Sequence, residues 1–470
     1  MYKELFNNYL LKILGFSINS IFPLLIIPYV ISIIGLKNFG LIEYSISFIS
    51  FFQVIGVLGA PLVGLRTISK EKDKKKQLSL VVSIMKYVWR ANTVVVVLYF
   101  LIINYFDTTF ELSRHISYAL IFLLFGTYFN VDWYFEANKK FKFIVLKSVA
   151  TRTLQVVLIL LFIIDKQDKE LYALLFSLGV FLGFFIGFIF FLKDYITHHK
   201  TLPKTEFYMA PLILVFFMQN STLLYTQIDK IFLAKTEYGQ IGVATYAIPQ
   251  KIAIYLNTVI YTLSYVALPS LATLFVTKKH QYWIEIKKIS KLLLMFSLTL
   301  GALVIIYSQN ILNYFGLSEI KLAHTVLFIF ILRIPIITLE SLMNNQILLL
   351  YNKEKILMRN YLIFGAMNVL FNLILFLALS PAVALLTTLL CEVFLLASLI
   401  QYIDQTLFQN FLKYIKPELI TATLTIAVFG VIYLIHPSMS SLIKLVFTFV
   451  FLTILIYKVI LYINSKTSQT

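Results

Sequence analysis

Polar residues in this chain fall in clusters, and between the clusters lie apolar runs of about twenty residues. A helix rising about 1.5 Å per residue needs a run of that length to cross a hydrocarbon core roughly 30 Å thick. Fourteen spans are predicted, beginning near Ile13, Leu41, Leu80, Ile116, Ile144, Leu171, Tyr208, Val243, Lys291, Leu322, Arg359, Ala382, Glu418 and Ser441. An outer-membrane barrel would instead alternate apolar and polar positions over about ten residues at a time. The predicted class is an all-α polytopic membrane protein. Its connections are short, so any chemistry belongs within the membrane or at its faces. The first apolar run leads straight into a second and reads as a span, not as a cleavable signal.

Composition agrees with the pattern. Hydrophobic residues make up 60% of the 470 positions and charged ones only 13%, against about 25% charged in soluble domains. The net charge of +18 would fit nucleic acid, but its placement argues otherwise. With the N-terminus inside, 27 of the 40 Lys and Arg fall in cytoplasmic segments, seven on the opposite side and six within spans. That bias is the positive-inside rule. It predicts cytoplasmic N- and C-termini and leaves nucleic acid without a role. A single cysteine, Cys391, excludes an internal disulfide framework or a cysteine metal site. The six histidines are scattered, and no HExxH, P-loop or GxGxxG motif appears. Neither catalysis nor a cofactor is expected.

An internal repeat is visible. "FGLIEYSIS" from Phe39 and "IGVATYAIP" from Ile241 share Gly-aliphatic-x-x-Tyr, at Gly40/Tyr44 and Gly242/Tyr246. Both copies enter even-numbered helices, the second and the eighth. An offset of six helices predicts two six-helix lobes as parallel repeats about an axis along the membrane normal. The N-terminal lobe would be 1–200, the C-terminal lobe 201–404, with two additional helices in 405–470.

The candidate chemistry is in the charges that hydropathy disfavours. Six bases lie within spans: Lys86, Arg90, Arg152, Lys230, Lys251 and Arg333. Four acids join them: Asp132, Asp229, Glu340 and Glu392. Such residues face a bundle interior or a water-filled cavity, pair with one another, or snorkel. Lys86 and Asp132 sit near cytoplasmic ends, where snorkelling or capping accounts for them. Arg90, Arg152, Arg333 and Glu392 fall near midplanes, where either a cavity or a buried pair would hold them. On the seventh span Gln219, Thr222, Thr226, Asp229 and Lys230 share an arc of about 100°. On the eighth, Lys251, Tyr255, Thr258, Thr262 and Tyr265 follow helical spacing along one side. Two polar stripes, each with a lysine, predict a lined cavity between the lobes, with Asp229 and Lys230 at its outer part. Lys86 and Arg90, four apart, repel unless an anion bridges them. On the tenth span Arg333, Glu340 and Asn344 share a face. Pro23, Pro28, Pro249 and Pro335 fall within spans and predict bent helices. The excess of bases over acids favours an anionic substrate.

Several stretches resemble the Wzx-type polysaccharide flippases. They are "IFPLLIIPYVISIIGLKNFGLIEYSISFISFFQVI" from Ile21, "VDWYFEANKKF" from Val131, "YTQIDKIFLAKTEYGQIGVATYAIPQKI" from Tyr225 and "ALPSLATL" from Ala267. The resemblance covers about nine spans, with Val131 standing where a proline is expected. It implies the multidrug/oligosaccharidyl-lipid/polysaccharide exporter superfamily. It also implies a substrate, an undecaprenyl-pyrophosphate-linked oligosaccharide flipped across the bacterial cytoplasmic membrane by alternating access, for O-antigen or capsule synthesis. Membrane lipids, and a polymerase and glycosyltransferases of the same pathway, would be its partners. On this reading Arg90, Arg152, Lys230, Lys251 and Arg333 hold phosphate or shape the cavity field. Tyr255 and Tyr265 stack on sugar rings, and Asp229, Glu340 and Glu392 couple an ion. The alternatives are a teichoic-acid or peptidoglycan-precursor flippase, a drug/cation antiporter of the same superfamily, or a membrane-embedded polymerase. The antiporter would carry more acids than bases in its spans, and the polymerase a large exterior loop.

Overall fold

Helices begin where charges end the loops. Lys74, Lys169, Lys279, Lys321 and Glu354 each open a helix that runs into apolar sequence. A computed structural model describes residues 15, 19, 22–106, 112–198, 203, 207–351 and 353–402. No strand occurs among them. Side chains of 214, 217–226, 262–270 and 272 are outside the description. The predicted thirteenth and fourteenth spans also lie outside the described residues.

The chain divides into two compact units, Met1–Ala247 with Asn372–Ser380, and Ile248–Phe371 with Pro381–Thr470. The first unit contains α1 (Phe22–Ile34) and α2 (Leu36–Val57). It continues with α3 (Ala60–Lys70), α4 (Lys74–Tyr105), α5 (Arg114–Ala119), α6 (Phe122–Tyr128) and α7 (Asp132–Ala137). Helices α8 (Phe141–Phe162), α9 (Lys169–His198) and α10 (Ala210–Ala234) follow. Helix α11 (Gly239–Thr277) begins in this unit, and its residues from Ile248 belong to the second. The second unit adds α12 (Lys279–Ile306), α13 (Ser308–Tyr314), α14 (Lys321–Leu342), α15 (Glu354–Ile374) and α16 (Pro381–Ile400). The last residues of α15, from Asn372, cluster with the first unit.

Among the described residues nine helical segments are long and apolar enough to cross a membrane. Helices stand at the predicted second to twelfth spans, and α1 at the described part of the first. Two spans are less regular than hydropathy predicts. The second segment breaks at Leu58 and Gly59, both left-handed with φ of 53° and 72°, so α3 leaves α2 at a turn. The fourth is three short helices, α5 to α7. Prolines 28, 249 and 335 each lie inside a continuous helix, and a π turn, Met343–Leu348, continues α14.

In the first unit α9 packs along α8 and α6, and α2 along α4 and α10. Trp133 of α7 lies so close to α3 that any Cβ at Gly64 would collide with its ring. In the second unit α14 packs along α12 and α16, which brings the charges of α14 and α16 together.

Candidate functional site

A carboxylate in an apolar helix persists only where donors satisfy it. Asp229, on α10 of the first unit, is fully buried. The Tyr246 hydroxyl donates to its Oδ2 at 2.6 Å, and Asn372 Nδ2 donates to its Oδ1 at 2.7 Å. Tyr246 is the tyrosine of the second repeat copy, and Tyr44 of the first copy is likewise fully buried. The two copies also come together, because a Cβ on Gly40 would collide with the backbone carbonyl of Gln240, just before the second copy, and would lie 3.3 Å from the Ala244 Cβ within it. Lys230, next to Asp229, is buried too.

Arg152, on α8, is half-buried. Its Nη1 donates to Gln155 Oε1 at 2.8 Å and its Nε to Asn19 Oδ1 at 3.2 Å. Both amides are anchored in turn. Asn19 Nδ2 donates to Ser148 Oγ at 3.0 Å, and Gln155 Nε2 to the Phe176 carbonyl at 2.8 Å. Gly179 leaves room for this, since a Cβ there would lie 2.5 Å from the Gln155 amide carbon. Two neutral amides, Asn19 and Gln155, are thus among the groups that orient the guanidinium.

Lys86 and Arg90 are exposed on α4, one turn apart. Asp132 opens α7 and pairs with Lys147. Lys147 lies within α8 and is buried. Tyr134 donates to Asp194 at 2.9 Å, and Lys74 and Lys140 approach the same carboxylate at 3.1 and 3.5 Å. These contacts tie α4, α7 and α8 to α9.

In the second unit Arg333 and Glu392 form a buried bidentate pair. The guanidinium carbon lies 5.7 Å from the centre of the Phe330 ring. Two turns along α14, the Tyr361 hydroxyl donates to Glu340 Oε1 at 2.5 Å, and Asn344 Nδ2 donates to the same tyrosine. Both carboxylates are buried. Asn344 lies in the π turn, a feature frequent at functional sites. Asn368 Nδ2 donates to Thr388 Oγ1 at 3.0 Å. Lys251 and Tyr255 are half-buried on α11, one turn apart. Gln219, Thr222, Thr226, Thr262 and Tyr265 belong to their helices, but their side chains are outside the described residues. No group of three His, Cys, Asp or Glu placed to hold a metal occurs among the described residues.

The shared face of Arg333, Glu340 and Asn344 thus divides, with Arg333 turned to α16 and the other two to α15. Sequence reasoning missed Tyr361, Asn372, Asn19 and Gln155, all neutral; the first three are 21, 143 and 133 residues from the charges they hold, and Gln155 stands one turn from Arg152. Tyr246 was visible, but only as a repeat mark.

A model of the family described as "Polysaccharide biosynthesis protein" matches residues 5–275. A relative named "Putative O-antigen transporter" from Escherichia coli (strain K12) is 25% identical over 153 residues, 32% of this chain. The match spans 36% of that relative's length. Among solved structures, "Lipid II flippase MurJ, inward closed conformation" aligns with a TM-score of 0.66 at 15% identity, covering 95% of this chain and 97% of that one. An outward-facing multidrug resistance MATE family transporter of the MOP superfamily aligns with a TM-score of 0.60 at 14% identity, covering 91% and 96%. At these identities the likeness establishes the fold. The apolar helices and the family match make the chain a multi-pass membrane protein.

Proposed function

This chain belongs to the polysaccharide biosynthesis protein family, and on that premise we propose that it is a lipid-linked oligosaccharide flippase. It moves undecaprenyl-pyrophosphate-linked repeat units from the inner to the outer leaflet of a bacterial cytoplasmic membrane, for O-antigen or capsule synthesis. Its termini are cytoplasmic, and it works by alternating access between two six-helix lobes, 1–200 and 201–404, with two additional helices in 405–470. The polyprenyl tail stays in lipid while the headgroup crosses through protein. A polymerase and glycosyltransferases of the same pathway supply and consume the repeat unit.

The observation that carries this reading is the setting of Arg152. Two amides, Asn19 and Gln155, help to hold its guanidinium within a span. A charged donor fixed in that way suits the paired oxygens of a phosphate. Lys251 and Arg90 are the companion phosphate ligands. Lys230 and Arg333, beside buried acids, shape the field. Tyr255 shares a helix face with Lys251 and stacks on a sugar ring. Asp229, Glu340 and Glu392 are the ion-coupling candidates. A drug/cation antiporter of this fold would hold more acids than bases in its spans, whereas the sequence sets six bases against four acids, and the helices add one buried residue of each sign, Lys147 and Glu43.

The test is Arg152→Gln with Lys251→Gln in cells whose surface polymer depends on this chain. Loss of polymer with lipid-linked repeat units accumulating inside, at an unchanged membrane level of protein, is expected. Unchanged polymer would overturn the assignment.

A further inference from the structure

One stripe of α4 is exposed along most of the helix. Lys86, Arg90, Val94, Val97 and Leu101 all belong to it, and at about 100° per residue they fall within an arc of roughly 80°. Trp89 stands at its edge. From Lys86 to Tyr105, itself exposed, the helix rises about 28 Å, close to the roughly 30 Å of a hydrocarbon core. With Tyr105 at one interface, Lys86 lies at the other. Arg90 reaches that level by extending its side chain, and Trp89 takes the depth where indoles collect.

The two cations have no acid on their own helix. Residues Lys74–Tyr105 include five cations and neither Asp nor Glu. Among the described residues Lys86 and Arg90 make no ion pair or hydrogen bond. Asp132 of α7 and Asp194 of α9 are engaged by other groups, the first by Lys147, the second by Lys74, Lys140 and Tyr134. Like charges one turn apart repel, so an anion between them is favoured. Trp89 is fixed beside them. Its Nε1 donates to the Tyr128 carbonyl at 2.8 Å, and its ring meets Phe188 edge-on with centroids 6.4 Å apart. The residue nonetheless stays 38% exposed. Snorkelling accounts for a cation at this depth, but not for two of them flanking an anchored indole.

We infer that this stripe is the docking face for the polyprenyl-pyrophosphate carrier, an inference that rests on the flippase reading. Lys86 and Arg90 hold the pyrophosphate through charge-assisted hydrogen bonds. Trp89 covers the first isoprene unit, and Val94, Val97 and Leu101 lie against the tail. Charge selects this occupant. A pyrophosphate joining lipid to sugar carries two negative charges, one for each cation, whereas the phosphodiester of a phospholipid carries one. The face therefore recognises the carrier and leaves the sugar in water.

The test uses purified full-length protein in neutral detergent and undecaprenyl-pyrophosphate N-acetylglucosamine with a photoreactive group in its first isoprene units. Adducts are mapped by peptide mass spectrometry and should fall within residues 89–101. The unlabelled compound should compete about fivefold better than phosphatidylglycerol, the gain expected from engaging one more surface cation. Lys86→Gln with Arg90→Gln should cut the adduct yield on α4 by at least about tenfold. Arg90→Lys, which keeps the charge, should retain most of it, and Lys166→Gln with Lys169→Gln should leave it unchanged. An undiminished yield in the Lys86/Arg90 double variant, or equal competition by phosphatidylglycerol, would overturn the docking face alone. Failure of the native chain to move the lipid-linked sugar across vesicles would overturn the flippase reading instead, so the two failures are told apart.

Discussion

Arg333 and Glu392 meet inside the second unit through two parallel hydrogen bonds, Nε to Oε2 at 2.6 Å and Nη2 to Oε1 at 2.5 Å. Each charge is desolvated, so each depends on the other, and removing one leaves the second buried without its ion-pair partner. Such a loss costs about 3–5 kcal/mol, whereas replacing both partners by apolar groups of similar volume is often neutral. Glu392→Leu or Arg333→Met alone should therefore sharply lower the temperature at which the detergent-solubilised protein unfolds. The double substitution should recover most of the loss. Additive effects of the two single changes would show that the pair is not coupled.

Tyr246 and Asp229 make a second test. Tyr246→Phe removes a buried hydrogen bond to a carboxylate, a loss of about 1.5–3 kcal/mol. Asn372→Ala should act on the other oxygen of the same group. Both effects should shrink in an Asp229→Asn background, measured as a double-mutant cycle on thermal stability. Equal effects in the two backgrounds would separate Tyr246 from Asp229.

Gly40 tests the contact between the repeat copies. A methyl group at this position meets a backbone carbonyl that cannot rotate away, so Gly40→Ala should cost at least the 1–3 kcal/mol typical of overpacking. Gly183→Ala is the control, because its Cβ would stand 3.6 Å from Thr151 Oγ1, an ordinary contact. Comparable folded yields for the two variants, by fluorescence-detected size exclusion, would refute the close approach.

Glu340 separates holding a fold from coupling an ion. A glutamine there can still accept from Tyr361, so Glu340→Gln should keep its stability within about 1 kcal/mol. If Glu340 couples transport to an ion, the same variant should lose the dependence of vesicle transport on a proton or sodium gradient. An unchanged gradient dependence would remove Glu340 from the coupling candidates.

The sequence and the structure agree best where hydropathy decides the outcome. Helix α4 begins at Lys74 and α12 at Lys279 because a charged loop ends there and an apolar run follows. The break at Leu58–Gly59 and the three-part fourth span were not legible, since averaging over twenty residues conceals a local turn. The charges of the site were legible individually, because any Arg or Glu in lipid stands out. Their partners were not. Arg333 and Glu392 are 59 residues apart, and Asp229 and Asn372 are 143 apart. Only tertiary packing selects Asn372 from the neutral polar residues scattered through the spans.

Transport of a lipid-linked oligosaccharide is the central claim, and vesicles containing only this protein test it most directly. A fluorescent undecaprenyl-pyrophosphate-linked oligosaccharide would be placed in one leaflet, and its arrival in the other followed by quenching from outside. The account predicts rapid arrival with the native chain and slowing of at least about tenfold, or 1.4 kcal/mol, with Arg152→Gln. Arrival no faster than in protein-free vesicles would contradict it.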